Sequence, residues 1–315
     1  MAPPLLIALA TRKIDQVFNL DTWSTQKAAL FIAAGALFFA AVEAICHTLL
    51  RPTIGRYLCA GNAKLARDPK RLRAKVTSAV TKLVSNVHNC VAVPVALAVL
   101  FSERVGGAAV GTARIHAASP LSLFMCVFSS SYFTYEIFEV LFRFSENGPA
   151  FLVHAVSCWF VYFFACFRYV LHWHGAGFLL WEASTPLVHL RWFLYEAGQA
   201  KSCLYAATGL AMAVVFFAAR NVWGPLLSLA FFRDTAQELT LAAQGRSDFS
   251  PLAIYAYRAA NVALNLLNAF WFGKIAQGVV GLLSSGSGGA KGKRGGGGGG
   301  DGAVAAAVSN GKKRG

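Results

Sequence analysis

The sequence predicts an all-α fold: a polytopic membrane helical bundle of about seven transmembrane helices. Three observations predict it. The 315 residues are 56% hydrophobic and 14% charged, with a mean hydropathy of +0.51, a balance that a soluble domain of this size reaches only by exposing large apolar patches. The charge is gathered into a few segments, and between them lie stretches of about 20 weakly charged residues, long enough to cross a hydrocarbon core of roughly 30 Å. The most basic segments are spaced so that an odd number of spans puts them on one side of a bilayer.

Residues 1–27 read as an N-terminal juxtamembrane segment. Leu5 to Ala10 is a short apolar run followed by Arg12 and Lys13, the reverse of the order in a cleavable signal peptide. A first transmembrane helix is expected at 28–50 and a basic cytosolic loop at 51–77. Further spans follow at about 78–101, 120–142, 150–171, 176–194, 203–230 and 252–283. The stretch 51–75 carries Arg51, Arg56, Lys64, Arg67, Lys70, Arg71, Arg73 and Lys75 against Asp68 alone, a net charge of +7. The positive-inside rule places it in the cytosol and the N-terminus outside. Seven spans return the C-terminus to the cytosol, in keeping with Lys291, Lys293, Arg294, Lys312, Lys313 and Arg314 against Asp301. The connection 233–250, with Arg233 and Arg246 against Asp234, Glu238 and Asp248, is slightly acidic and falls outside.

Residues 284–315 turn to Gly, Ser and Lys, with an unbroken glycine run from Gly295 to Gly300. Such a tail has no apolar surface to offset its ordering entropy and is expected to be disordered. Its end, Lys312-Lys313-Arg314-Gly315, resembles the dilysine signal that returns membrane proteins to the endoplasmic reticulum, although a basic low-complexity tail also yields adjacent lysines by chance.

The net charge of +15 does not point to nucleic acid, because the basic residues sit between and after apolar spans rather than among aromatics on one surface. The seven cysteines are scattered without CxxC spacing and read as small buried hydrophobes. No metal site and no cofactor are expected. His172 and His174 are two apart, so a helix points them in different directions, and no carboxylate is near them in sequence.

An ionisable side chain in a bilayer interior costs at least about 2.5–3.5 kcal/mol on insertion scales, so each should face the bundle or a wet cavity. Tyr132, Tyr135, Glu136 and Glu139 lie in the third span, His154, Ser157 and Arg168 in the fourth, and Glu182, Ser184, Thr185, His189 and Arg191 in the fifth. Glu182 and His189 are two helical turns apart with Thr185 between them, which makes a polar stripe. Pro186 lacks the N–H that would bond the Glu182 carbonyl, so a kink with that carbonyl free is expected. Either a ligand site or a helix-fastening role fits Glu182, whereas Arg191 and Trp192 read first as interfacial anchors. Glu43 and His47 are spaced for a mutual hydrogen bond. Asn86, His88 and Asn89, and the ladder Asn261, Asn265 and Asn268, read as helix-to-helix fastenings.

Several segments together resemble the TLC-domain family, which includes the translocating-chain-associating membrane protein and the ceramide synthases. Ser131-Tyr132-Phe133-Thr134-Tyr135-Glu136 is similar to the family's Gly/Ser-Tyr-x-x-Tyr-Asp element, with Glu for Asp. Val153-His154-Ala155 stands where the family has a His-His pair. Glu182-Ala183-Ser184-Thr185-Pro186 with Leu190-Arg191-Trp192-Phe193-Leu194 resembles the Glu-x-Ser-Thr-Pro…Arg-Trp-Phe segment of the non-synthase branch. Phe216-Phe217-Ala218-Ala219-Arg220 with Pro225, and Leu264-Asn265 through Trp271-Phe272-x-Lys274-Ile275, resemble two later elements. The resemblance covers about residues 70–283 and is strongest to the TLC domain-containing protein 4 group. It implies a six-span core, here with one N-terminal span added, around a central cavity in an endomembrane, and a role in lipid metabolism or balance.

Ceramide synthases attach an acyl chain from acyl-CoA to a sphingoid base with paired histidines and aspartates. Here the second histidine is Ala155, and the aspartate positions read Glu182 and Thr185. The resemblance therefore implies His154 and Glu182 as the catalytic candidates, and Tyr135, Glu136, Ser184, Thr185, His189 and Arg191 as candidates to contact lipid. Simple topology puts His154 near the cytosolic end of the fourth span and Glu182 near the outer end of the fifth, on the order of 20 Å apart. Membrane lipid homeostasis without strong catalysis, through lipid binding, transport or sensing in the cavity, is the leading expectation. A lipid N-acyltransferase that uses acyl-CoA is the second. A structural partner of a trafficking or translocation complex, docking through the 51–75 loop and the tail, is the third. Membrane lipids are the expected partners, with acyl-CoA on the enzymatic reading, no nucleic acid, and no identifiable protein partner.

Overall fold

The computed structural model describes residues 12–101 and 111–286, with side chains through Val279. The readings of Leu5 to Ala10 and of the tail with Lys312 and Lys313 lie outside these residues. Among the described residues, five helices are long and apolar enough to cross a membrane. They are α1 (Thr25–Ala60), α2 (Pro69–Leu100), α3 (Pro120–Phe142), α4 (Pro149–Arg168) and the passage Cys203–Ala243. The last is α7 (Cys203–Phe216) joined to α8 (Gly224–Ala243) through a π-helical stretch, Phe217–Trp223. A broken passage, α5 (His172–Leu179), a 3-10 turn at Leu180–Ser184 and α6 (Thr185–Glu196), lies between α4 and α7. With this broken passage and α9 (Pro251–Gly286) added to the five, the described residues form seven passages, consistent with a helical membrane bundle.

Local sequence starts these helices in a recurring way. Ser24, Asp68 and Ser119 each accept a hydrogen bond from a first-turn backbone N–H, and Pro69, Pro120 and Pro149 occupy the first turn, where a missing N–H costs nothing. Ser119 and Ser122 complete a reciprocal capping box. The reversal from α4 to α5 is sharp, with Tyr169 at φ 51° and Leu171 at φ 63°. These are uncommon values for residues with side chains. The Leu171 N–H is fastened to the Ile115 carbonyl at 2.6 Å.

Burial orders the bundle. The apolar window of α3 is 61% buried and that of α1 only 11%, so α3 is the central helix and α1 a peripheral one whose Leu30, Leu37, Ile45 and Leu49 face outward. Gly35 lets α1 lie directly against Ser131 of α3. The exposed cysteines Cys90 and Cys203 depart from the expectation of buried hydrophobes, which Cys126, Cys158 and Cys166 meet.

Several boundaries move, with consequences for the site. The basic stretch 51–77 is mostly helix: α1 runs on to Ala60 and α2 starts at Pro69, leaving a short connection with a helical turn at Ala63–Ala66. The sixth passage continues to Ala243, so Asp234 and Glu238, expected in a loop, are buried on α8. Helices also differ in length. At 1.5 Å per residue α2 is about 48 Å long and α4 about 30 Å. Arg143, at the α3–α4 turn, bonds Ser78 and Thr81, nine to twelve residues inside the start of α2. The turn is thus recessed, and α2 and α6 overhang it.

At that basic end the two overhanging helices are joined through their connections. Gly61 and Gly198 pack backbone on backbone, Gly198 has φ 76°, and a Cβ on it would strike the backbone of Gly61. Asn62 also donates to the Glu196 carbonyl at 3.3 Å. Gly198→Ala should therefore lose at least about 1–2 kcal/mol from the left-handed backbone alone. A lower thermal midpoint in detergent is expected, whereas Gly245→Ala, where φ is 67° but no atom lies within 4 Å, should lose only the conformational part.

Candidate functional site

Between α2, α3, α4, α6, α7 and α9, above the recessed turn, lies a cavity of about 420 Å³ that reaches Glu136, His154, Glu182, Thr185, His189 and Arg220. Its outer part is cationic: Lys75, Lys82, Arg143, Arg191 and Lys274 line it together with Glu146. A narrower slot of about 40 Å³ continues past the floor. It shares His154 and Glu182 with the larger cavity and is otherwise mostly apolar, with Phe133, Tyr162, Ala165 and Leu171 among its walls.

His154 Nε2 stands 4.0 Å from Glu182 Oε1, which corrects the expected separation of about 20 Å. That expectation assumes helices that end flush, whereas these two share the tight reversal at 169–171. Counted from that reversal, His154 is about sixteen residues back along α4 and Glu182 about twelve forward, an offset of roughly 6 Å at helical rise. The distance exceeds that of a hydrogen bond, so the pair is in electrostatic contact, and both side chains line the cavity. Around His154 lie the rings of Phe133 and Trp271, at 6.2 and 5.7 Å between centroids.

The group that organises the floor is Arg220, which sequence reasoning noted only as part of a motif. Its Nε donates to the Trp181 carbonyl at 2.9 Å and to Ser184 Oγ at 3.1 Å. One terminal nitrogen donates to Asn268 Oδ1 at 3.0 Å, and the other to Glu182 Oε1 at 3.3 Å and Thr185 Oγ1 at 3.1 Å. Arg220 sits in the π-helical stretch, whose extra residue per turn re-aims side chains relative to a regular helix. Thr185 also donates to Glu182 Oε2 at 2.7 Å.

The sequence-derived candidates divide into those on the cavity and those behind it. Glu182, Thr185 and His189 form the expected stripe on its wall, and His189 is held by Asn86 Oδ1 at 2.8 Å. Glu136 also faces the cavity and accepts from the Tyr132 hydroxyl at 2.9 Å. Ser184 is buried behind the wall as an acceptor for Arg220 and a donor to the Trp181 carbonyl. Tyr135 points the other way, donating at 3.0 Å to Glu43 of α1, so the bond expected between Glu43 and His47 is replaced by one across helices. The Glu182 carbonyl, expected to be free beside Pro186, accepts the Thr185 N–H: the 3-10 turn uses it one residue earlier than an α-helix would.

Arg191 and Trp192 are not interfacial anchors. Both are buried, Arg191 under α7 and Trp192 under α1 and α2. Arg191 donates to the Tyr205 carbonyl at 3.1 Å, with its guanidinium 3.8 Å from the Tyr205 ring, and Gly209 leaves space for it. Trp192 packs with Ile54, Leu58 and Val76. Beyond the larger cavity, His172 joins Ser122 Oγ at 2.7 Å and the Ala165 carbonyl at 3.0 Å, while His174, on the wall of the slot, meets Asp234 at 3.0 Å. Histidine and asparagine also fasten helices elsewhere: His88 stacks on Tyr132 at 4.2 Å and meets Ser129 at 3.3 Å, and Asn265 donates to Ser228 at 3.0 Å.

Removing one partner of a buried ion pair strands the other charge, at about 3–5 kcal/mol. Arg220→Met should therefore destabilise the protein strongly. Adding Glu182→Gln should restore part of the loss, because the stranded carboxylate is gone. Thermal midpoints of the two single variants and the double variant measure the coupling, and simple additivity would remove the pair from the centre of the fold.

The family model of the TLC domain matches residues 79–277, more than half of the chain. Among relatives, an uncharacterized TLC domain-containing protein of Schizosaccharomyces pombe is 26% identical over 79% of this chain and 77% of its own length. Topoisomerase I damage affected protein 4 of Saccharomyces cerevisiae is 28% identical, and TLC domain-containing protein 4-B of Danio rerio is 32% identical. Each of these two aligns over 47% of this chain, which covers only about half of its length, 52% and 54% respectively.

Proposed function

The chain belongs to the TLC-domain family, and on that premise we propose that it binds a membrane-derived amphiphile in its cavity and thereby acts in membrane lipid homeostasis. One observation carries this reading: a cavity of about 420 Å³ inside a membrane bundle, cationic at its mouth and continued by a mostly apolar slot at its floor. A charged headgroup at the mouth and a hydrocarbon tail in the slot satisfy both ends. Lys82 and Lys274 favour an anionic headgroup. Lys82 Nζ lies 4.5 Å from the Trp192 ring and Lys274 Nζ 5.4 Å from the Phe270 ring. Among the described residues neither forms an ion pair with a carboxylate, whereas Lys75 pairs with Glu196 and Arg143 with Glu139 and Glu146.

The contact between His154 and Glu182 supports a second reading, acyl transfer from acyl-CoA to a lipid amine. In such a step the amine nitrogen attacks the thioester carbonyl, His154 takes the amine proton, and the coenzyme A thiolate leaves and is protonated in turn. Glu182, already committed to Arg220 and Thr185, would steady the imidazolium across 4.0 Å. The second histidine of the synthase pattern is Ala155, buried and chemically inert, so lipid binding without turnover remains the first reading.

Lipids co-purifying with the protein in nanodiscs distinguish these readings. Enrichment of a phosphate-bearing amphiphile that falls several-fold in Lys82→Glu is the expected result, and a lipid profile identical to that of the surrounding bilayer would refute binding. Product from labelled acyl-CoA and a mixture of sphingoid bases and lysolipids, abolished in His154→Ala, would instead make the protein an enzyme.

Endoplasmic-reticulum residence with a cytosolic C-terminus is part of the same proposal and rests on the basic segments and on Lys312 and Lys313. Replacing both lysines by serine should shift the protein forward along the secretory route when followed by microscopy. Unchanged residence would remove the retrieval signal from the account.

A further inference from the structure

The polar groups of the cavity are layered, and the order of the layers restricts the ligand beyond an anionic headgroup. The outer layer holds Lys75, Lys82, Arg143 and Lys274. Its depth is marked by the bonds from Arg143 to Ser78 and Thr81. Glu136 is seven residues before Arg143 on α3, two turns or roughly 10 Å deeper. Phe133, a turn deeper again, belongs to the mostly apolar slot together with Tyr162 and Ala165. From the mouth inward the sequence is therefore the outer cations, then the Glu136 carboxylate, then the Arg220–Glu182 ion pair at the floor, in which the charges are already matched, and then hydrocarbon.

Glu136 is the unexplained member. Among the carboxylates on the cavity, Glu146 has Arg143 and Glu182 has Arg220. Glu136 forms no ion pair among the described residues. Its Oε1 accepts from Tyr132, and its Oε2 is buried without any partner. A buried carboxylate oxygen left unsatisfied is costly, and on the wall of a cavity it calls for a donor. The cations of the outer layer point the other way in charge, toward a phosphate.

We propose that the cavity recognises a single-chain amphiphile with a primary ammonium placed between its hydrocarbon tail and a phosphate monoester, as in a phosphorylated long-chain base. The ammonium pairs with the Glu136 carboxylate, the phosphate meets Lys82, Lys274 and Arg143, and the single chain enters the slot, which is too slim for paired acyl chains. The reverse arrangement, phosphate next to the tail and ammonium outermost, sets phosphate against Glu136 and ammonium among lysines. Like charges then face each other in both layers. An acyl-CoA thioester offers phosphates to the mouth but no cation for Glu136. The inference rests on the lipid-binding reading and adds to it the position of the amine.

Competition against a fluorescent sphinganine 1-phosphate on the full chain in phosphatidylcholine nanodiscs tests it, with four unlabelled competitors of matched 18-carbon chain. Sphinganine 1-phosphate has both groups in the proposed order, sphinganine lacks the phosphate, lysophosphatidic acid lacks the ammonium, and lysophosphatidylethanolamine has the order inverted. The first should compete at least about tenfold better than each of the other three, as the removal of one charge-assisted hydrogen bond predicts. In Glu136→Gln its advantage over lysophosphatidic acid should vanish, and in Lys82→Met its advantage over sphinganine should shrink. Because the wild-type ranking alone decides the matter, a variant that fails to fold leaves the test intact. Equal competition by all phosphate-bearing lipids would overturn the proposed order while leaving lipid binding in place. Absence of specific binding by every amphiphile would overturn both.

Discussion

Arg220 is a permanent cation at the centre of a membrane bundle, where neither water nor lipid can solvate it cheaply, and much of the surrounding backbone is shaped to supply it with acceptors. The π-helical stretch aims the side chain, the 3-10 turn at Leu180–Ser184 brings the Trp181 carbonyl and Ser184 Oγ to one face of the guanidinium, and Asn268 approaches from α9. Glu182 supplies the countercharge. Three passages are thereby tied at one point, and the irregular backbone occurs where it serves a polar group buried in protein, as the bilayer requires. The floor of the cavity is the exposed side of this same knot, so its geometry is fixed by the fold and not by the ligand.

A second constraint is unequal helix length. The α3–α4 turn stops well inside the bundle while α2 and α6 continue beyond it, and the space left over is the cavity. Charged residues can line its walls because they belong to helices that project past the apolar layer. The overhang also explains why Lys75, Glu196 and Trp192 are sheltered although they stand near helix ends. One geometric fact thus produces a polar chamber and the sheltered charges around it.

The passages of the bundle were legible in the sequence, because an apolar run of about 20 residues has few alternatives and Ser-Pro, Asp-Pro and Gly-Pro pairs announce several of the helix starts. So was the stripe Glu182, Thr185 and His189, which depends only on local helical spacing. The meeting of His154 with Glu182 was not, since it depends on where the chain reverses, and the reversal uses Tyr169 and Leu171 in a backbone region their side chains disfavour. The centrality of Arg220 was hidden for a related reason: a π-stretch shifts the phase of everything after it, and regular periodicity cannot anticipate the shift. Helical spacing pairs Glu43 with its neighbour on the same helix, but its hydrogen bond comes from Tyr135 on α3, a contact that only tertiary packing determines.

The backbone contact between Gly61 and Gly198 bears on how the chamber breathes. Together with the bonds from Asn62 to Glu196, from Lys75 to Glu196 and between Asn86 and His189, it clasps α2 to α6 along the full height of the mouth. On the opposite flank, α9 meets its neighbours near the mouth through rings, Trp271 against Phe151 and Phe272 against Phe216 and Phe217, contacts that slide more readily than hydrogen bonds do. The wall therefore has a jamb and a leaf. On the proposed lipid-binding reading, any widening that admits a long chain would swing on the α9 side, sideways into the bilayer rather than outward into water.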